Sequence, residues 1–225
     1  MSSIESVNVG VLRAMEATTG VSGIDKRPTS GAVWIAAPAP GTSGVAGDPI
    51  GDPEHHGGLD RAVYAYARED LDAWRPTLGD LRAGAFGENL TTRGLEVTDA
   101  RIGERWRVGA DLVLEVAVPR IPCRTFAAWL EVQGWVKTFT RSAVPGAYLR
   151  VVREGAVRAG DPVVVEHRPD HDVTIGLTFR AMTLEPDLLP RLLVVDALPA
   201  DVRDLALRRS EGPVRADGGR GRPRA

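Results

Sequence analysis

Glycine and proline break this sequence into short pieces, and no other feature limits its fold as strongly. The chain carries 25 Gly and 16 Pro in 225 residues. Proline fixes φ and lacks a backbone donor, while glycine enters turn conformations closed to other residues. Long helices are therefore disfavoured, and short strands joined by many turns are expected. The clearest strand lies in "RWRVGADLVLEVAVPR", where Leu112, Leu114, Val116 and Val118 share one face. Pro119 and Pro122 stop that ladder from continuing. "IESVNVGVLR" sets Ile4, Ser6 and Asn8 against Glu5, Val7 and Val9, the alternation of another strand. "GIDKRPTSGAVWIA" reads as a turn feeding a strand at 32–36, with Trp34 among β-formers. "AYLRVV" and "DPVVVEHR" supply two more, separated by "EGAVRAG".

Helices are few. "AREDLDAWRPTL" places Leu71 and Trp74 on one face, with Pro76 closing the segment. From Arg124 onward, Phe126, Trp129 and Leu130 recur at i, i+3 and i+4. Residues 37–58 are rich in Gly, Pro and Asp and form a long loop, which in a compact domain is more often functional than accidental. After His171 the pattern turns helical, with stripes through Ile175, Phe179 and Met182, through Leu188, Leu189, Leu192 and Leu193, and through Val202, Leu205 and Ala206. Each of these short helices needs tertiary packing to persist. Their leucine faces could cover the main body or join two copies as a homodimer. The expected organisation is a β-rich body over residues 1–170, a three-helix appendage over 171–210, and a disordered tail over 211–225.

Composition excludes several classes of function. Apolar residues make up 43% and charged residues 26%, as in an ordinary globular protein, and the net charge of −2 favours neither nucleic acid nor an anionic membrane surface. No apolar run is long enough to span a bilayer, and no basic stretch followed by an apolar one opens the chain, so a cytoplasmic location is expected. The single cysteine rules out an internal disulfide, a four-cysteine zinc site and a four-cysteine iron–sulfur cluster.

That cysteine, Cys123, stands in "PRIPCRTF" between Arg120 and Arg124, where a strand ends and a helix begins. A lone cysteine is commonly a small buried hydrophobe. Flanking arginines and helix amides would instead favour a thiolate, either a nucleophile or a soft metal ligand. A cysteine hydrolase needs a partner base, and of the four histidines only His55 and His56, in "HHGG", sit in a loop free to approach it. Adjacent histidines chelate one metal poorly, so a zinc site is not indicated. Lys26 and Arg27 in "GIDKRP" are either a solvated pair or a clamp for a phosphate-like anion. Asn89, behind the glycines of "GAFGENL", is either a turn residue or a hydrogen-bonding partner for a heterocycle.

Together, "KRP", "HHGGLDRAVYAYAREDLDAW", "GAFGENLTTRGL", "IGERWRVG", "PRIPCRTF", "WVKTFT" and "PGAYLRVVREGAVRAGD" occur in an order and spacing that resembles the MOSC family, the molybdenum cofactor sulfurase C-terminal domain. Within it, the chain looks most like the stand-alone YiiM-like branch, whose three-helix extension the segment around "RLLVVDALP" resembles. The match runs over roughly residues 3–209, with residues 37–51 richer in Gly, Pro and Ala than the family pattern. The resemblance implies a mainly β fold with inserted helices (α+β): a closed β-barrel of the pyruvate kinase barrel-like class. It also implies the pyranopterin molybdenum cofactor, with Cys123 as the molybdenum ligand. Lys26 and Arg27 would hold the pterin or its phosphate, Asn89, Arg120 and Arg124 would line the pocket, and His56 is counted with them.

The implied activity is reduction of N-hydroxylated bases such as 6-hydroxylaminopurine, a detoxifying reaction. Pyridoxal phosphate, associated with sulfurases through a separate domain, is not expected. With neither an internal iron–sulfur cluster nor a G-x-G-x-x-G fingerprint after a strand, electrons must come from a separate reductase. A non-catalytic carrier of the cofactor or of sulfur is the competing reading.

Overall fold

The computed structural model describes residues 1–15, 20–51 and 57–210; the expected tail and the two loop histidines, His55 and His56, lie outside them. The strands are β1 (Ser3–Ala14), β2 (Val21–Pro28), β3 (Val33–Ile35), β4 (Val63–Ala67), β5 (Leu90–Arg93), β6 (Arg105–Val108), β7 (Leu112–Pro119), β8 (Ala147–Arg153), β9 (Gly155–Val157) and β10 (Val163–His167). The helices are α1 (Arg68–Ala73), α2 (Arg75–Leu78), α3 (Arg124–Leu130), α4 (Trp135–Ser142), α5 (Ile175–Thr183) and α6 (Ala200–Ser210), with 3-10 segments at Leu59–Arg61 and Pro186–Val194. The result is a mixed α+β fold built on one large sheet, ordered β10-β6-β7-β8-β4-β5-β1-β2, beside a small β3-β9 pair. Only β4 and β5 run parallel; the other neighbours in both sheets are antiparallel.

The strand order is not an unbroken ring of ladders. β1 divides its pairing, first with β5 and then, past a bulge, with β2. At its start it also meets the lead-in to β10: Ile4 N–H donates to Asp161, Gly160 N–H to Ile4 and Val163 N–H to Ser2, at 2.8–2.9 Å. Ser3 and Pro162 form an isolated bridge there. Proline has no N–H to carry that ladder further, so the contact stays a short seam between the two ends of a curled sheet. The bulge between Ile4 and Ser6 also breaks the simple alternation, since Ile4, Ser6, Val7 and Asn8 are all buried.

Several local expectations change. "GIDKRP" is strand β2, not a turn, and it pairs Lys26 with Gly10 and Arg27 with Val9. Its turn-like composition has a packing cause: a Cβ on Gly23 would collide with the Pro49 carbonyl. Pro76 does not close a helix; it sits in the first turn of α2, where a missing N–H has no consequence. Helix α4, not foreseen, follows α3. The middle segment of the C-terminal region is 3-10, with Pro190 inside it removing an α-helical donor.

The C-terminal helices are not a detached unit. Ile175, Leu177, Leu189, Leu192 and Val202 belong to the same buried cluster as Ile4, Leu90, Leu114 and Leu149 of the sheet. α5 packs on β7, which explains why β7 is buried on both faces. A second cluster is aromatic: Tyr64, Tyr66, Trp74, Phe86, Phe126, Trp135 and Phe139 interlock with centroids mostly 5–6 Å apart. It anchors α3 and α4 beneath the end of β7. No helix of the described residues is long and apolar enough to cross a membrane.

Candidate functional site

A cleft partly open to solvent lies between β2, the 43–51 loop, β4 and the β7–α3 junction. Its lining includes Lys26, Asp48, Arg61, Tyr64, Asn89, Arg120, Cys123 and Tyr148. Four residues singled out from sequence, Lys26, Asn89, Arg120 and Cys123, are thus brought together from distant parts of the chain.

The "GAFGEN" turn builds one wall. Gly84 and Gly87 take φ of 81° and 76°, a region that disfavours side chains. Glu88 is wholly buried and accepts from Gly84 N–H (2.5 Å), Phe86 N–H (3.0 Å) and the Thr91 hydroxyl (2.9 Å). Burial pushes its carboxyl pKa up, and these donors work against that rise. Glu88 therefore holds the turn in shape, and Asn89 projects from it. A Cβ on Gly84 would meet the Lys26 carbonyl oxygen, a backbone atom with little room to move. Gly84→Ala is expected to cost roughly 2–3 kcal/mol, seen as a lower denaturant midpoint at unchanged slope. A shift below about 1 kcal/mol would mean the turn relaxes freely.

Lys26 is buried and donates to both oxygens of Asp48, at 2.5 and 2.6 Å. Asp48 also accepts from Gly10 N–H (2.7 Å), the Ser43 hydroxyl (2.9 Å) and Asn89 Nδ2 (2.9 Å). Asn89 Oδ1 accepts from Tyr64 N–H at 3.1 Å. Burial lowers the Lys26 pKa, and the Asp48 carboxylate opposes this. The Lys26 charge is thus compensated, and the amide of Asn89 is committed at both ends. Asp48 is a site residue outside the set expected from sequence, where it is one of three acids in the 37–58 loop.

Arg120 differs. It is buried, with its guanidinium 4.0 Å from the Phe126 ring centroid and 5.1 Å from that of Tyr64, and it donates to the Phe86 carbonyl. Its Nε has no hydrogen-bond partner, and no carboxylate lies within ion-pair distance among the described residues. Burial works against the charge, but the Tyr64, Tyr148 and Cys123 side chains outweigh it and hold the guanidinium more firmly protonated than usual. Cys123, half-buried, occupies the N-cap of α3 with φ −126° and ψ 173°. Cys123 is one of the groups that raise the Arg120 pKa.

The remaining candidates fall elsewhere. Arg124, the first residue of α3, is exposed and does not line the cleft. Arg27 is exposed on β2 and pairs with the buried Asp25, as do Arg13 and Arg82, at 2.5–3.1 Å. Neighbours on a strand face opposite ways, so Lys26 and Arg27 cannot serve one pocket. His56 lies outside the described residues. Burial alone would raise the Asp25 pKa; the Arg27 and Arg13 guanidiniums overcome this and hold it below the ordinary 3.8. The folded value being the lower one, this stabilisation is complete above about pH 4–5 and lost as pH falls through it. Asp25→Asn should therefore flatten the acid limb of a stability–pH curve, and an unchanged limb would contradict this.

Among the described residues, no cluster of three His, Cys, Asp or Glu side chains is poised for a bare metal ion. A single thiol beside a buried guanidinium with no carboxylate in ion-pair distance among the described residues suits a metal that arrives already chelated by an anionic organic group. A family model for the MOSC domain matches residues 52–164. The chain belongs to the MOSC domain family.

It is 32% identical to the uncharacterized protein YflK of Bacillus subtilis over 181 residues, 79% of each chain. It is 33% identical to a protein named "Reductase" from Gibberella moniliformis over 158 residues, 66% of this chain and only 26% of that protein. The crystal structure of YiiM from Geobacillus stearothermophilus superposes with a TM-score of 0.75 at 28% identity, covering 93% of this chain and 99% of that one. This MOSC chain is therefore of the YiiM-like kind, with the cleft at its "FGEN" and "PRIPCRTF" segments.

Proposed function

We propose that this MOSC protein binds the molybdenum cofactor in the cleft and reduces N-hydroxylated compounds, 6-hydroxylaminopurine among them, with electrons from a separate donor. The observation that carries this reading is Arg120: a buried cation with no carboxylate in ion-pair distance and no Nε partner among the described residues, beside the chain's one thiol. A buried charge left uncompensated costs several kcal/mol, so such a residue points to an anionic occupant.

The residues present fit that occupant. Cys123 would be the metal ligand, and Arg120 would balance the thiolate and the anionic pterin. The Lys26–Asp48–Asn89 network keeps the wall of the cleft rigid without adding net charge. Arg61 at the rim is paired with Asp201 of α6 at 2.6 Å and likewise adds no net charge. When bound, the cofactor supplies the two-electron redox centre that no side chain of this protein provides. The net reaction is R–NHOH + 2e⁻ + 2H⁺ → R–NH₂ + H₂O. The reductase named among the relatives supports an oxidoreductase role, and a cytoplasmic site of action belongs to the same proposal.

The test uses full-length protein purified from cells able to make the cofactor, 6-hydroxylaminopurine as substrate, and reduced viologen as electron source. Formation of adenine is expected, whereas NAD(P)H without a partner reductase should give none. Molybdenum-loaded protein that leaves the substrate unchanged would overturn the reductase reading in favour of a carrier. Turnover with NAD(P)H alone would overturn the separate donor.

A further inference from the structure

The chain has three tyrosines, of which Tyr64 and Tyr148 line the cleft, and two have occupied hydroxyls. Tyr64 donates to the Pro145 carbonyl at 2.8 Å. Tyr66 donates to the Val144 carbonyl at 3.0 Å and accepts from Trp74 Nε1 at 3.1 Å. Tyr148 is different: no hydrogen bond to its hydroxyl is seen among the described residues, and its half-buried side chain lines the cleft with Cys123. Register explains the placement. On β8, Tyr148 pairs with Tyr64 of β4 and with Val118 of β7, two residues before Arg120. Its ring lies 5.0 Å from that of Tyr64, which fixes its direction.

Burial raises the phenol's pKa, against the opposing pull of Arg120, so the group is a protonated donor throughout the neutral range. Cys123, Arg61 and Asp48 also act on it electrostatically. Among the described residues that line the cleft or its walls, no carboxylic acid is free for the role, since Asp48 is held by Lys26 and Glu88 is sealed within its turn.

We infer that Tyr148 is the catalytic proton donor to the departing hydroxyl oxygen. This rests on the reductase reading. As the N–O bond breaks, the nitrogen keeps the electron pair delivered by the external reductant and takes one proton from solvent. The leaving hydroxyl takes the phenolic proton and departs as water, and solvent then reprotonates the phenolate.

The test compares wild type with Tyr148→Phe on two substrates, 6-hydroxylaminopurine and its O-acetyl ester, with reduced viologen as donor. Acetate is a weakly basic leaving group that needs no proton, so the ester bypasses the acid. Tyr148→Phe should match wild type in molybdenum content and melting temperature. Its kcat should fall about 100-fold or more on the hydroxylamine, while most of the rate on the ester is kept. Equal losses on both substrates would assign Tyr148 to packing, and an unchanged kcat on the hydroxylamine would remove it from the chemistry; either overturns the inference. Wild type inert toward both substrates would instead sink the reductase reading itself. Should the variant fail to accumulate, replacement of tyrosine by the more acidic 3-fluorotyrosine is expected to move the alkaline limb of the pH–rate profile to lower pH. An unmoved limb would count against Tyr148.

Discussion

With Arg120 replaced by methionine, the cofactor-free protein is expected to be at least as stable as wild type, and by up to about 4 kcal/mol more so. In the same variant, Cys123 should lose much of its reactivity near neutral pH. The two effects have one cause. Among the described residues Arg120 is buried with no carboxylate in ion-pair distance; its contacts are the Phe86 carbonyl and the Tyr64 and Phe126 rings, with Tyr148 and Cys123 acting on it electrostatically. Desolvating such a charge opposes folding, and a flexible thioether of similar length can fill the space and contact Phe126 and Tyr64 favourably. What is lost is the charge coupling between Arg120 and Cys123, and a nearby guanidinium favours a thiolate. Denaturant unfolding measures the first effect. The pH dependence of iodoacetamide alkylation measures the second, with a midpoint about one unit or more higher in the variant. A destabilised Arg120→Met protein with unaltered thiol reactivity would make Arg120 a structural residue and remove the main support for an anionic occupant.

Cys123→Ser is expected to fold normally and to lose reductase activity more than 100-fold. Residues that merely support a metal ligand typically contribute 10–100-fold, and the ligand itself should exceed that range. A hydroxyl is a poor substitute for a soft thiolate, and no cluster of other metal-binding side chains is seen among the described residues to replace it. Because Cys123 is only half-buried at the N-cap of α3 and makes no side-chain cap bond, stability should change by less than about 1 kcal/mol. A well-folded Cys123→Ser protein that reduced 6-hydroxylaminopurine at the wild-type rate would place the chemistry elsewhere.

Much of this site was legible in the sequence, and its gaps have physical causes. The end of β7 and the start of α3 could be read from the apolar alternation and the two prolines, which located Cys123 at a strand-to-helix junction. In sequence Arg120 and Arg124 are equivalent, since both lie close to it. They separate in space: one ends buried at the exit of the strand, while the other opens a helix toward solvent. Lys26 and Arg27 were paired for a similar reason. Had β2 been recognised as a strand, its period of two would have allowed only one of them into the cleft. Gly23, Asp25 and Pro28 concealed it, each carrying the usual signal of a turn.

Nothing in the sequence around Asp48 or Tyr148 ties either residue to the cleft. Asp48 matters because a loop brings it onto Lys26, and Tyr148 because strand register sets it beside Tyr64. The curled sheet was foreseen as a closed barrel, yet β1 shares its length among several partners, and no alternation pattern reveals that.

Elemental analysis of full-length wild type and Cys123→Ser, both expressed in cells that make the cofactor, addresses the paired thiolate and guanidinium most directly. Wild type should carry molybdenum approaching one atom per chain, and the serine variant only a small fraction of that. Equal molybdenum in the two proteins, or none in wild type under those conditions, would contradict the assignment of Cys123 as the group that holds the metal.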